Sequence, residues 1–231
     1  MENNTLIHAA TASIERSKCF YERLKFEVVS ETEPFIVSDG KAFIEINPAR
    51  SARNGIKVYG ADISKIKANL DGISAVIKTE EGLLASDPNG VRVYLSAEPV
   101  KFDLTPKANS VGLVGHFEGL SIEAHDFLAT VRFWEAIGFK QTKGDVAHGF
   151  VEVSNGSALG ISIMKSLMCP HLFVNPSLTF FNGGKNLTTI GLLREEGIRF
   201  FEEITVFNDD NVVDNVSLLD PGCLGFFIFN D

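Results

Sequence analysis

Two stretches of this chain repeat each other, and that repetition limits the folds open to it more than any other feature. RSKCFYERLKFEVV (16–29) and ATVRFWEAIGFKQT (129–142) each carry an aromatic pair, Phe20-Tyr21 and Phe133-Trp134. An apolar residue follows three positions on (Leu24, Ile137), and then Phe26 or Phe139. Up to that phenylalanine the apolar spacing is helical; beyond it the chain reads as extended. Each stretch is therefore a helix, a tight turn and a strand. Gly138 suits the left-handed end of such a helix, and Lys25 holds the same place in the first copy, where a positive φ costs it a little. Two further pairs run in the same order: AFIEI (42–46) with GFVEV (149–153), and SDPNGVRVYL (86–95) with LDPGCLGFFIF (219–229). A repeat of this length means two similar units in one chain.

The elements between these landmarks follow from alternation, turn residues and caps. The first copy reads as strand 5–12, helix 14–24 with Ser13 as N-cap, and strands 26–30, 34–38 and 42–47 with SDGK as a turn. After PARSARNG (48–55) come strand 56–60, helix 62–70 and strands 74–78, 82–86 and 91–95. The second copy gives strand 117–123, helix 126–137 and strands 139–143, 148–154 and 158–164. It continues with strand 177–181, a helix 187–197 capped by Asn186, and strands 203–207, 214–219 and 225–229. The order βαβββ thus occurs four times. The segment between the copies, AEPVKFDLTPKANSVG (97–112), reads as a polar linker without an apolar period.

Bulk properties remove several function classes. The net charge of −9 is uneven, −2 over residues 1–105 and −7 over residues 106–231. No basic stripe is available for a phosphate backbone, so nucleic acid is not an expected partner. No apolar run approaches the roughly 20 residues that cross a bilayer, and the first residues lack the pattern of a signal peptide. A cytoplasmic protein is expected, with no membrane partner. Cys19, Cys169 and Cys223 are scattered and odd in number, which fits neither a disulfide framework nor a zinc site; Cys19 is expected to be a small buried residue of the first helix.

SIERSKCFYERLKFEVV, FIVSDGKAFIEINP and SDPNGVRVYL resemble the vicinal-oxygen-chelate superfamily, which includes glyoxalase I, fosfomycin- and bleomycin-resistance proteins and extradiol dioxygenases. The match covers nearly the whole first half. It is looser in the second, where the stretches 165–176 and 207–215 have no counterpart. The resemblance implies an α+β fold of tandem glyoxalase-like domains, each made of two paired βαβββ modules in a half-open eight-stranded barrel. Residues 1–97 would form the first domain, 98–112 a linker and 113–231 a second, more divergent domain. It does not imply one function, because the scaffold hosts lyases, dioxygenases, transferases and plain binding proteins.

Metal-using members of that superfamily carry His or Gln and Glu on the first strand of each module and on outgoing strands, leaving positions open for substrate oxygens. Counting back from the helix places these positions on Leu6, near Gly55 or Lys57, and on Tyr94; in the second half they fall near Gly119, around Pro176–Leu178 and on Phe227. None is a good divalent ligand. Glu45 and Glu152 are exceptions: each stands on an apolar strand, where a carboxylate is costly unless it meets water, a donor or a metal, and both match the superfamily's Glu position. His8 shares a face with Leu6, one step along, and His8 with Glu45 is the one His/Glu pair expected in a shared cleft. These two are the candidate catalytic residues, and the metal ligands if a metal is bound. His116, His125, His148 and His171 receive no role.

Tyr94, Glu152, Phe227, Arg50 and Arg53 are the candidate ligand-binding residues. The arginines could reach a cleft mouth and hold an anion in a bidentate contact, or simply be solvated loop charges; the aromatics, with Tyr59 and Trp134, are core or cleft lining. The preferred reading is a metal-independent protein that binds an apolar or aromatic small molecule, as bleomycin-resistance members do, with no cofactor. One alternative is a glyoxalase-like lyase or ring-cleaving dioxygenase using His8, Glu45 and a divalent metal such as Zn, Ni, Fe or Mn. Another is a non-catalytic association scaffold. The expected partner is a small molecule, and the chain is a monomer or homodimer.

Overall fold

The computed structural model describes residues 4–230. The first half runs through strands Thr5–Ala10 (β1), Glu27–Ser30 (β2), Phe35–Ser38 (β3), Phe43–Asn47 (β4) and Gly55–Val58 (β5). Val76–Lys78 (β6), Gly82–Ser86 (β7) and Arg92–Ser96 (β8) complete it, with helices Ile14–Arg23 (α1) after β1 and Ile63–Asn69 (α2) after β5. The second half repeats this with His116–Ala124 (β9), Phe127–Ala136 (α3), Lys140–Asp145 (β10), Phe150–Ser154 (β11) and Gly160–Lys165 (β12). Ser177–Phe181 (β13), Asn186–Glu195 (α4), Phe200–Ile204 (β14), Asn215–Leu219 (β15) and Gly225–Phe229 (β16) follow. Each half makes one open eight-stranded sheet, ordered β2-β3-β4-β1-β5-β8-β7-β6 and β10-β11-β12-β9-β13-β16-β15-β14. Two βαβββ modules meet edge to edge in each, with β1 antiparallel to β5 and β9 antiparallel to β13. The tandem α+β architecture implied by the resemblance is present, with each eight-stranded sheet left open rather than closed into a barrel. No helix among the described residues is long and apolar enough to cross a membrane.

Local chemistry explains where elements begin and end. The Ser13 side chain accepts from the Arg16 amide, removing one orphan donor from the start of α1. Lys25 takes φ 62° and Gly138 φ 102° just past their helices, as the repeat requires. Other expectations need correction. The N-cap of α4 is Lys185; Asn186 lies inside the helix, its buried amide donating to the carbonyls of Asp214 and Ile228. β14 covers 200–204, not 203–207. Cys19 is exposed, because α1 buries Ser17 and Tyr21 on its other face.

One continuous core joins the halves. Alternation sends Ile7, Ile44, Ile56 and Val93 of the first sheet, and Leu120, Ile163, Leu178 and Phe226 of the second, to the side where the helices pack. The helices thus lie toward the contact between halves, and the helix-free faces point away from it. Each half's aromatic pair reaches the other half. Tyr21 donates to Asp220 across 3.0 Å in a fully buried contact, and Phe20 and Tyr21 both pack on Phe226. Reciprocally, the buried Trp134 indole N–H faces Asp87 and favours its charged form without meeting hydrogen-bond geometry. The helix aromatics and DP turns marked by the repeat are therefore partners across the two halves. Gly222 fits this contact because a Cβ there would lie 1.6 Å from the Ala10 carbonyl oxygen, and Asn54 donates to the Gly222 carbonyl beside it.

The segment 98–112 does not behave as a free polar linker. Val100, Phe102 and Leu104 alternate with Lys101 and Asp103, and they pack with Leu6, Ile36, Phe43 and Tyr59 on the helix-free face of the first sheet. The strap is pinned further on by amide hydrogen bonds from Lys107 to Gly40 and from Val111 to Asp39. On the corresponding face of the second sheet lie the two stretches without counterparts. There His171 and Phe173 sit on Phe227, and His171 and Phe207 on Phe229.

Candidate functional site

The helix-free face of the first sheet opens into a cleft of about 1120 Å³. Its floor is made by β1, β4, β5 and β8 at the junction of the two modules. His8 lies opposite Glu45 in the parallel β1–β4 pair, and Lys57 lies opposite Tyr94 in the parallel β5–β8 pair. β1 and β5 run antiparallel with Ile7 opposite Ile56. A local two-fold through that pair exchanges His8 with Lys57 and Glu45 with Tyr94. Leu6, the position singled out by counting along the chain, is the register partner of Lys57 in the β1–β5 pair and packs under the strap instead. Gly55, opposite His8, lets β8 approach closely, since a Cβ there would come within 1.9 Å of the Arg92 carbonyl oxygen.

His8 is almost fully buried, and its protonation state is set by its neighbours. Nδ1 lies 3.0 Å from the Arg53 carbonyl oxygen, which only accepts, so Nδ1 carries the proton. Nε2 is then an acceptor, served by the Asn47 amide at 3.1 Å. Burial lowers the imidazole pKa from 6.5 to about 4. The ring is consequently neutral, and the 3.9 Å separation between Nε2 and Glu45 Oε1 joins two acceptors rather than an ion pair. Tyr94 stacks on the imidazole with centroids 4.0 Å apart, and its hydroxyl oxygen accepts from the Arg53 amide.

Glu45 meets a cation from its own sheet. Lys57 Nζ stands 3.4 Å from Glu45 Oε2 and 2.9 Å from Glu81 Oε2, with the lysine side chain 10% exposed and that of Glu45 4%. Burial raises the Glu45 carboxyl above its ordinary range, with Lys57 pulling the other way. Burial disfavours the Lys57 ammonium, but Glu45 and Glu81 outweigh it and hold the group protonated beyond its usual range. Tyr59 completes the cluster: its hydroxyl donates to Glu45 across 3.4 Å, and burial followed by the Glu45 charge pushes its pKa to about 12.

The structure thus brings His8, Glu45 and Tyr94 together. Arg50 and Arg53 are exposed and line the rim loop; the Arg53 guanidinium turns back onto the carbonyls of Arg50 and Ala52, and only its backbone touches the site. Glu152 and Phe227 belong to the other sheet. The match of Glu152 to Glu45 is a misalignment: Glu152 is on β11, whose place in the order is that of β3, and the strand equivalent to β4 is β12. The residue opposite Ser121 there, as Glu45 is opposite His8, is Ser162. The same symmetry makes the second sheet's four positions Ser121, Ser162, Thr179 and Phe227, which corrects the positions near Gly119 and Pro176–Leu178 found by counting. Ser121 and Thr179 hydrogen-bond each other at 2.6 Å, and Glu152 is held by Thr142 and Lys143.

Asn47, Glu81 and the strap residue Phe102 were not foreseen, and Lys57 was weighed only as a failed metal ligand. The alternation in VKFDL was the legible signal for the strap, and a lysine inside the apolar strand GIKV was the signal for a buried ion pair.

Comparison with known proteins fits this geometry. No protein-family model matches the chain, and no curated protein matches its sequence. Solved structures do. The Mn(II)-bound glyoxalase from Novosphingobium aromaticivorans superposes with a TM-score of 0.59 at 14% identity, covering 99% of this chain and 82% of that one. The 2,3-dioxygenase LapB from Pseudomonas sp. KL28 gives 0.58 at 14% identity, covering 100% and 93%. Homoprotocatechuate 2,3-dioxygenase from Arthrobacter globiformis gives 0.57 at 12%, covering 100% and 80%. The fold is vicinal-oxygen-chelate-like, the one shared with this glyoxalase and these dioxygenases. The glyoxalase, solved with Mn(II) bound, shows that this fold can hold a metal.

The residues on the cleft floor do not fit a divalent ion. Such an ion needs three or four unprotonated donors at about 2.0–2.2 Å. The floor offers one imidazole nitrogen, already accepting a hydrogen bond, and one carboxylate already paired with an ammonium. An ion bound to Glu45 would lie within about 5 Å of Lys57, a repulsion of about 7 kcal/mol at an effective dielectric of 20. Among the described residues no group of three or more His, Cys, Asp and Glu is arranged to hold a metal.

Proposed function

We propose that the first sheet's cleft is a metal-independent binding site for a small apolar or aromatic molecule, in the manner of bleomycin-resistance-type proteins on this scaffold. The observation that carries the reading is Lys57, a permanent positive charge clamped between Glu45 and Glu81 where a metal-dependent member needs an open coordination sphere. The cleft is also built for such a guest. Phe35, Pro48, Leu83 and Phe102 supply apolar surface among mostly polar lining residues, and Tyr94 is locked in place by His8 and the Arg53 amide.

Charge narrows the class. Glu31, Glu33, Glu45, Glu80, Glu81 and Glu98 line the cleft against Lys18, Lys57 and Lys101. With His8 neutral, six carboxylates face three ammonium groups, so the favoured guest is neutral or cationic. Titration of the full chain with an aromatic ammonium compound and an aromatic carboxylate of the same size tests this. The expected outcome is at least tenfold tighter binding of the cation, weakened a further tenfold or more in Tyr94→Ala. If millimolar concentrations of either compound leave the His8 and Tyr94 NMR signals unmoved, the reading is wrong.

The second reading is catalytic, a glyoxalase-like lyase or ring-cleaving dioxygenase. The His8–Glu45 pair favours it, standing in a cleft on the fold of the dioxygenases named above. Oxygen uptake with a catechol and added Fe(II), abolished in Glu45→Ala, would establish it over the binding role.

A further inference from the structure

We infer that Lys57 is a built-in cation that keeps the first cleft closed to divalent metals, and that His8 and Glu45 join a metal site once this lysine is replaced by a ligating side chain. The inference rests on the placement of four side chains and stands whether or not the cleft takes the guest proposed above.

Register supplies the first part. The two-fold relating β1–β4 to β5–β8 puts Lys57 where the second module would otherwise repeat His8. Donor chemistry supplies the second. His8 is locked with Nδ1–H on the Arg53 carbonyl, which makes Nε2 the acceptor on the Glu45 side of the ring, where the Asn47 amide now serves it and a metal would displace that amide. Glu45 Oε1 lies 3.9 Å from that nitrogen. Lys57 instead gives its positive charge to Glu45 Oε2 and to Glu81 Oε2 from the flank. Neither carboxylate can turn to a metal without abandoning it. A buried carboxylate requires a counter-charge, so removing the lysine leaves a vacancy that a divalent ion is suited to fill.

The test uses the full-length protein. Co(II) and Mn(II) are titrated into wild type, Lys57→His, Lys57→Gln and Lys57→His with Glu45→Gln, followed by calorimetry and the visible Co(II) spectrum. Wild type should show no saturable binding below millimolar metal. Lys57→His should bind one Co(II) at least 100-fold more tightly, with new visible bands that disappear when Glu45 is also changed. Lys57→Gln, which removes the charge without adding a ligand, should bind Co(II) at least tenfold more weakly than Lys57→His. Should the Lys57 variants fail to fold, wild type alone decides. Saturable, Mn(II)-induced broadening of the His8 and Tyr94 signals at micromolar metal would overturn the inference. Persistence of those signals at millimolar Mn(II) upholds exclusion. A folded Lys57→His that binds Co(II) no better than wild type would overturn the inference equally.

Discussion

Replacing His8 by glutamine should change the pH dependence of stability in a direction that identifies how the imidazole is buried. Folding lowers its pKa from 6.5 to about 4. Between those values the unfolded chain binds more protons than the folded one, so His8 makes the protein less stable as pH falls through the window. At 1.36 kcal/mol per unit, the loss amounts to about 3 kcal/mol between pH 7 and pH 4. Asp220 works the other way. Burial raises its pKa from 3.8 to about 6, with its hydrogen bonds opposing. The folded state then holds the extra proton, and stability falls as pH rises from about 4 to 6. That contribution is also about 3 kcal/mol, so the two slopes largely offset each other in wild type. His8→Gln keeps a donor for the Arg53 carbonyl but cannot titrate. Its stability relative to wild type should therefore be about 3 kcal/mol more favourable at pH 4 than at pH 7, whatever uniform cost the lost stacking adds. Asp220→Asn should show the opposite tilt, about 2–3 kcal/mol more favourable at pH 7 than at pH 4. Urea unfolding at half-unit steps from pH 4 to 7 measures both. A His8→Gln profile that runs parallel to wild type within about 0.5 kcal/mol would refute the buried, neutral state assigned to His8.

Three further outcomes follow from the same contacts. Tyr21→Phe removes the hydroxyl that donates to Asp220; it should cost about 1–3 kcal/mol and raise the Asp220 pKa further, read from its carboxyl carbon shift. Gly222→Ala forces a methyl group into the space beside the Ala10 carbonyl and should lower stability by at least about 2 kcal/mol; an unchanged melting temperature would mean the halves are not in this contact. Leu104→Ala releases the strap from the patch formed with Leu6, Phe43 and Tyr59, costing about 2–4 kcal/mol, and hydrogen exchange should speed up across residues 98–104 first.

Much of the architecture was legible in the chain. The helical aromatic pairs, the DP turns and the strand alternation gave all four modules, because period and turn chemistry are local properties of a few consecutive residues. His8 and Glu45 could be nominated for the same reason: a polar side chain on an apolar strand is visible without a structure. What residue order alone did not decide is register. Glu152 resembles Glu45 in its neighbours, yet the order of strands in the sheet gives the equivalent position to Ser162. Pairing between strands joins residues far apart in the chain, and a slip by one strand leaves the local pattern intact while exchanging every partner. The same non-local pairing brings Lys57 to Glu45 and folds residues 100–104 over the cleft. Composition and spacing settled that two similar sheets would form; only their tertiary assembly determined that one floor carries a buried ion pair and the other a pair of hydroxyls, because partners for a buried charge are chosen by the folded surface around it.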